Sequence, residues 1–145
     1  MRRYSPFIFA LVMFLVVIPI RAQEHYNEGT ISRVVLIKIK PGHFDAFMQD
    51  LRDNLRPVYD QEKQEGLILD YKIYLNSTSD SPTDWDLALT FEYKNYGALD
   101  GLAAKIQELT LKHYGSKGAR QDATAKRFEN AEVVASRLMR QITLK

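Results

Sequence analysis

The sequence predicts an α+β domain in the order β-α-β-β-α-β, with a four-stranded antiparallel sheet and both helices on one face. Three observations predict it. Four segments are β-branched or alternate apolar and polar residues with a period of two. Two others repeat apolar residues at intervals of three and four. Proline, glycine and runs of small polar residues separate them. Right-handed crossovers make this layout the natural one for that order of elements.

The elements follow in turn. Ile31 to Lys40 is rich in valine, leucine and isoleucine and stops at Pro41-Gly42, a strand followed by a turn. Phe44, Phe47, Met48, Leu51, Leu55 and Val58 form the apolar stripe of the first helix, which Pro57 should kink or interrupt before Gly66 ends it. Leu67, Leu69, Tyr71, Ile73 and Leu75 share one parity and define a second strand over about 67–75. The run from Asn76 to Asp84 is nearly all turn-forming residues, and it joins that strand to a third whose inward set is Trp85, Leu87, Leu89, Phe91 and Tyr93. Asn95 can cap a second helix carrying Leu99, Leu102, Ala103, Ile106 and Leu109 and ending near Gly115. A polar stretch follows, Gln121 to Asn130 can add a helical turn or two, and Val133 to Leu144 closes the chain as a fourth strand.

Ahead of this domain, two arginines precede Phe7 to Ile20, 14 residues without a charge, and Arg21-Ala22-Gln23 follows them. That order is the one a secretory signal has, with cleavage after Ala22. The run contains Pro19 and is shorter than the roughly 20 residues a spanning helix needs, so a cleaved signal is expected rather than a retained anchor. The expected organisation is therefore a signal peptide over 1–22, a flexible leader over 23–30 and one domain over 31–145. Export to the periplasm or medium follows from it. Removing the signal takes away Arg2, Arg3 and Arg21 and no acid, leaving 17 basic against 18 acidic side chains. A mature net charge of −1 offers no basic face for nucleic acid. There is no cysteine, so disulfides, thiolate metal sites and cysteine nucleophiles are excluded.

Two junctions carry a resemblance. Lys40-Pro41-Gly42-His43-Phe44-Asp45-Ala46-Phe47 joins the first strand to its helix, and Phe91-Glu92-Tyr93-Lys94-Asn95-Tyr96-Gly97-Ala98-Leu99 joins the third strand to the next. Through these the chain resembles the dimeric α/β-barrel superfamily of ferredoxin-like domains over residues 31–144. That superfamily includes antibiotic-biosynthesis-type monooxygenases, haem-degrading monooxygenases and stress-responsive barrel proteins. The resemblance implies a ferredoxin-like fold that pairs into a dimeric barrel. In the monooxygenase branch a Trp and a His line the pocket between sheet and helices. Here Tyr93 takes the Trp place and Leu102 stands where the His would be, which argues against oxygenase or haem-degrading activity.

Candidate chemistry is sparse. Tyr71, Trp85, Phe91 and Tyr93 are expected to point at the helices, where they either line an apolar ligand cavity or fill the core. His113 lies beside the apolar stripe at a helix C-terminus, as an acid, base or ligand or as a cation against the negative helix end. Arg140 shares parity with Leu138 and Ile142, so its guanidinium needs a bound anion or a protein acid. No metal-ligating spacing, phosphate loop, dinucleotide fingerprint or nucleophile elbow is present, and no cofactor is expected. Asn76-Ser77-Thr78 is an N-glycosylation acceptor pattern.

The sheet face away from the helices is expected to carry Val34, Leu36, Ile68 and Ala88 among Lys38, Asp70, Lys72, Asp86 and Glu92. That mixture is too apolar for plain solvent cover and predicts a homodimer packed through this face. The leading functional expectation is an exported domain that binds a small hydrophobic or aromatic ligand in a pocket formed by Tyr71, Trp85, Phe91, Tyr93, His113 and Arg140. One alternative is a cofactor-independent monooxygenase or isomerase of the barrel type. Another is an interaction module without a ligand.

Overall fold

The computed structural model describes residues 25–78, 81 and 84–145. The expected signal peptide and its cleavage site lie outside the described residues, as do the first two residues of the leader and part of the loop after Asn76. Among the described residues no helix is long and apolar enough to cross a membrane.

Strand β1 (Tyr26–Ile39) begins inside the stretch expected as a leader, because the end of the chain pairs with it: Tyr26 lies opposite Leu144 and Asn27 opposite Thr143. Pro41 and Gly42 (φ 80°) then turn the chain, with the His43 amide donating to the Lys40 carbonyl at 3.0 Å. Helix α1 (Phe44–Asp50) buries Phe47. A π-helical turn over Leu51–Leu55 links it to α2 (Arg56–Gln64). Pro57 has no amide proton to give and its ring crowds the preceding turn, so the helix widens there and continues instead of ending. Gly66 (φ 69°) closes α2 in the left-handed conformation that glycine adopts without strain.

Strand β2 (Asp70–Leu75) is shorter than the alternation predicts. Leu69 already donates to the Glu92 carbonyl at 2.7 Å, but its side chain is exposed while Ile68 is 2 % exposed and belongs to the core. The connection from α2 thus takes Ile68 out of the sheet face to which parity assigns it. Strand β3 is Leu87–Tyr93. Trp85 precedes it, half-buried, with its carbonyl accepting from Asn76 Nδ2 at 2.9 Å.

Asn95 caps as expected, its Oδ1 accepting from the Ala98 amide at 3.1 Å. The turn it caps is a short 3-10 segment, Tyr96–Leu99, and helix α3 (Leu102–Tyr114) starts afresh after Gly101. The stretch expected to hold only a turn or two is helix α4 (Lys117–Asn130), 14 residues long. Ser116 caps it through the Ala119 amide at 3.1 Å. Gly118, which reads as a breaker, falls in the first turn, where interior hydrogen bonds are not at stake. Strand β4 (Ala131–Leu144) pairs with β1 along its length, with register shifts near each end.

The strand order is β2-β3-β1-β4 and every pairing is antiparallel. Ile31, Ile37, Ile39, Leu87, Leu89 and Phe91 meet Phe47, Leu51, Ile68 and Leu102 from the helical layer to form the core. Across the other face, Leu36 lies opposite Ala88 and Ala88 opposite Tyr74. Ala88 is 5 % exposed and Tyr74 48 %. Three of the acids of this face have partners within the chain. Lys38 Nζ is 3.1 Å from Asp86, Lys63 Nζ is 2.7 Å from Asp70, and Thr30 donates to Glu92 at 2.7 Å.

Candidate functional site between sheet and helices

The central strands β1 and β3 present one side of their ladder to the helices, and the register sets which residues meet there. Ile31 faces Tyr93, Arg33 faces Phe91, and Val35 faces Leu89. A charged residue thus occupies a position whose neighbours along the strand are core isoleucine and valine. Arg33 is half-buried and lies opposite Leu138 on its other side. Its guanidinium makes no hydrogen bond or ion pair with another described residue.

Helix α2 brings a second unexpected group to the same space. Val58 and Glu62, four residues apart, are its buried residues, and Glu62 is only 3 % exposed. Its carboxylate likewise has no hydrogen bond or ion pair with a described residue. Burial alone pushes its proton affinity up, to a pKa of about 7. Tyr93 is buried in electrostatic reach of both: burial raises its phenol, Arg33 pulls it down and Glu62 pushes it up again. No fully buried side-chain polar atom among the described residues lacks a partner, so these groups are not sealed off from solvent. A buried acid near neutrality and a half-buried cation, both without a described side-chain partner, are uncommon in a structural core.

Tyr59 joins the aromatic residues of β2 and β3. Its ring packs edge-on against Phe91, 4.9 Å between centroids, and against Tyr71 at 5.4 Å. Burial raises its phenol strongly, with Arg127 opposing and Glu62 and Asp50 reinforcing the rise. Beyond it lies a polar cluster of another kind. Arg127 Nη2 donates to the Tyr114 hydroxyl at 3.0 Å and to Asp50 Oδ1 at 3.3 Å, its Nε donates to Asp50 Oδ2, and Asn54 donates to Asp50 at 2.8 Å. The π-helical turn carries Asn54 into this cluster. A groove of about 530 Å³ opens beside it, lined mainly by Leu55, Val58, Thr110, Tyr114, Thr124 and Phe128.

The residues expected to share a pocket are dispersed. Phe91 and Tyr93 are core neighbours on β3, and Tyr71 joins them through Tyr59 while its hydroxyl donates to Asp60 at 2.6 Å. Burial and then that hydrogen bond raise its phenol to about 12. Trp85 lies at the other end of β3, before Leu87. His113 is exposed, 4.9 Å from the Tyr114 ring, and borders a shallow groove with Pro57, Val58, Gln61, Leu109 and Lys112. Arg140 is paired with Glu28 and stacks 4.6 Å over the Tyr96 ring. Leu102, at the position where the resemblance places a His, is a buried core residue.

Glu62 and Arg33 were legible in the sequence. Glu62 falls four residues after Val58, at the next position of the apolar stripe, and Arg33 has the parity of Ile31 and Val35. A charge on a buried stripe is the signal that finds such sites.

No family model matches the chain, and no curated protein matches it. Among solved structures it is similar to HapK from Hahella chejuensis, with a TM-score of 0.50 and 12% identity over 77% of this chain and 91% of that one. It is also similar to a dimeric ferredoxin-like protein from an uncultured marine organism (TM-score 0.48, 14% identity, 81% of this chain and 96% of that one). A dimeric protein of unknown function and ferredoxin-like fold from Bacteroides fragilis NCTC 9343 aligns with a TM-score of 0.43 and 15% identity, over 79% and 97% of the two chains. At these identities the likeness concerns fold alone. The antiparallel strand order β2-β3-β1-β4 with its helical layer is itself the ferredoxin-like fold.

Proposed function

We propose that this domain binds a small aromatic molecule between sheet and helices, in the space around Tyr93. The observation that carries the reading is the pair of charges without a described side-chain partner, Glu62 on α2 and Arg33 on β1, both in electrostatic reach of that phenol. Burying a charge without a partner is costly, and a ligand that supplies the partner removes the cost on binding. Phe91, Tyr59 and Tyr71 give the same space an aromatic wall. The test is amide and side-chain chemical-shift mapping of the purified protein against a set of uncharged and charged benzene derivatives. Shifts should cluster at Arg33, Glu62 and Tyr93. Shifts confined to the groove at Leu55 and Phe128, or none at all, would sink the reading.

The same reading includes a homodimer through the bare sheet face, supported by the apolar centre at Leu36, Ala88 and Tyr74 and by the pairs Lys38–Asp86 and Lys63–Asp70 already formed within the chain. Pairs formed in the subunit lower the cost of covering the face. Sedimentation should give a dimer at tens of micromolar that Leu36→Asp dissociates, and a wild-type monomer would refute it. Export belongs to the reading as well. N-terminal sequencing of the protein from producing cells should begin at or within two residues of Gln23, and Met1 on extracytoplasmic protein would refute it.

Glu62 also favours one catalytic reading, that of a cofactor-independent isomerase or oxygenase. A carboxyl with a pKa of about 7 is matched to accepting and returning a proton at neutral pH. Turnover that survives Glu62→Gln would exclude it.

A further inference from the structure

We propose that the groove between α2, α3 and α4 is a second binding site, taking an aliphatic monocarboxylate with its carboxylate on Arg120 and its chain running along α4 toward Phe128. The site stands apart from the space around Tyr93: neither Tyr93, Glu62 nor Arg33 lines it. Its volume of about 530 Å³ is in the range of small-molecule sites. Val58 is buried against it, Leu55 is half-buried, and Phe128 is 57 % exposed. A large apolar side chain left open beside such a groove is surface that a ligand can cover. Thr110 and Thr124 line the groove too, but their hydroxyls donate back to the carbonyls of Ile106 and Arg120, each at 2.8 Å, and have no proton left for a ligand.

The charges of the groove choose the head group. Two arginines line it, Arg120 and Arg127, and no acid does. Arg127 is spent on Asp50 and Tyr114. Arg120 is half-buried, and its guanidinium has no hydrogen bond or ion pair with a described residue. The Tyr114 oxygen accepts from Arg127, while its proton has no described acceptor. Apart from the Gln121 amide, which can do either, the open groups are therefore donors, and they favour an acceptor. A guanidinium fork fits a carboxylate with two parallel hydrogen bonds, and one uncommitted cation matches one negative charge. The helix sets the direction of the chain. Arg120, Thr124 and Phe128 recur every four residues and share one face of α4, with Arg120 and Phe128 about 12 Å apart along its axis. That span is comparable with an extended octanoate, whose far end would lie on Phe128.

The probe is octanoate, kept at concentrations where it is monomeric and compared with octanol, which lacks the charge, and acetate, which lacks the chain. Affinities are measured by amide chemical-shift titration at neutral pH. Octanoate should shift residues from Arg120 to Phe128 and bind at least about tenfold tighter than either comparison compound. Arg120→Gln should bring octanoate and octanol to equal affinity, and Arg120→Lys should keep part of the difference. Ala125→Trp, at an exposed position that lines the groove, should abolish binding of both while the melting temperature stays near that of wild type, which separates a blocked groove from a lost fold. Equal affinity for octanoate and octanol in wild type overturns the anchor, as does a preference that survives Arg120→Gln. Acetate binding as tightly as octanoate overturns the apolar half of the site. Octanoate shifts centred on Tyr93 or on the sheet face at Leu36, or no shifts at all, overturn the proposal and leave the reading around Tyr93 to its own test.

Discussion

On one side of the Tyr59 ring, Arg127 answers Asp50 and Tyr114 in a set of direct hydrogen bonds, and Asn54 completes it. Glu62 on α2 and Arg33 on β1, by contrast, have no described side-chain partner. The two clusters use similar chemistry, a carboxylate, an arginine and a tyrosine, and only one is closed. The closed cluster ties α1 to α4 across a gap in sequence of 77 residues, which is the work of a brace. The open one does nothing for the fold that an apolar set would not do better. Similar residues can therefore be told apart by whether their hydrogen bonds are spent.

The comparison is sharpest where it predicts opposite signs. Asp50→Ala leaves Arg127 half-buried without its partner and should lower unfolding free energy by about 2–4 kcal/mol, read by denaturant titration, with aromatic binding near Tyr93 unchanged. Little change in stability would mean that the closed cluster is ornamental. Glu62→Gln should do the reverse and raise stability above neutral pH by about 1–3 kcal/mol, because a buried carboxylate is replaced by a neutral amide.

The pH dependence follows with its sign. The ordinary affinity of a glutamate is 4.5 and the folded value is about 7, so the folded chain keeps a proton that the unfolded chain has lost. Stability from this group is fully present below about 4.5, falls as pH rises to about 7, and is flat above. Melting temperatures from about pH 5 to about pH 8 should show that fall in wild type, and Glu62→Gln should remove it. Tyr93→Phe should cost less than about 1 kcal/mol, since its hydroxyl has no described partner to lose. Glu28→Gln should change stability least, by about 0.5 kcal/mol, because the pair with Arg140 is half exposed.

The order of elements and the sheet topology were legible because parity and stripe residues such as Ile37, Leu89, Phe47 and Leu109 are what the core is made from. The places that were not legible each have a local cause. The chain end pairs with Tyr26 to Glu28, which no pattern in a polar stretch announces. Ile68 leaves its parity at the exit from α2, and α4 depends on a single capping serine ahead of a glycine. For the site, aromatic parity pointed correctly to Phe91 and Tyr93 as inward residues, yet it could not say that Trp85 lies before β3 or that His113 faces solvent. Arg33 and Glu62 are the charged exceptions within the apolar patterns of β1 and α2, and the periodicity that defines those elements does not depend on them.

The central claim is that Glu62 is a buried carboxyl without a described side-chain partner, and its own titration tests that most directly. The side-chain carboxyl carbon of Glu62, followed by NMR across pH, should titrate with a midpoint of about 7. A midpoint in the ordinary glutamate range of about 4 would contradict the account.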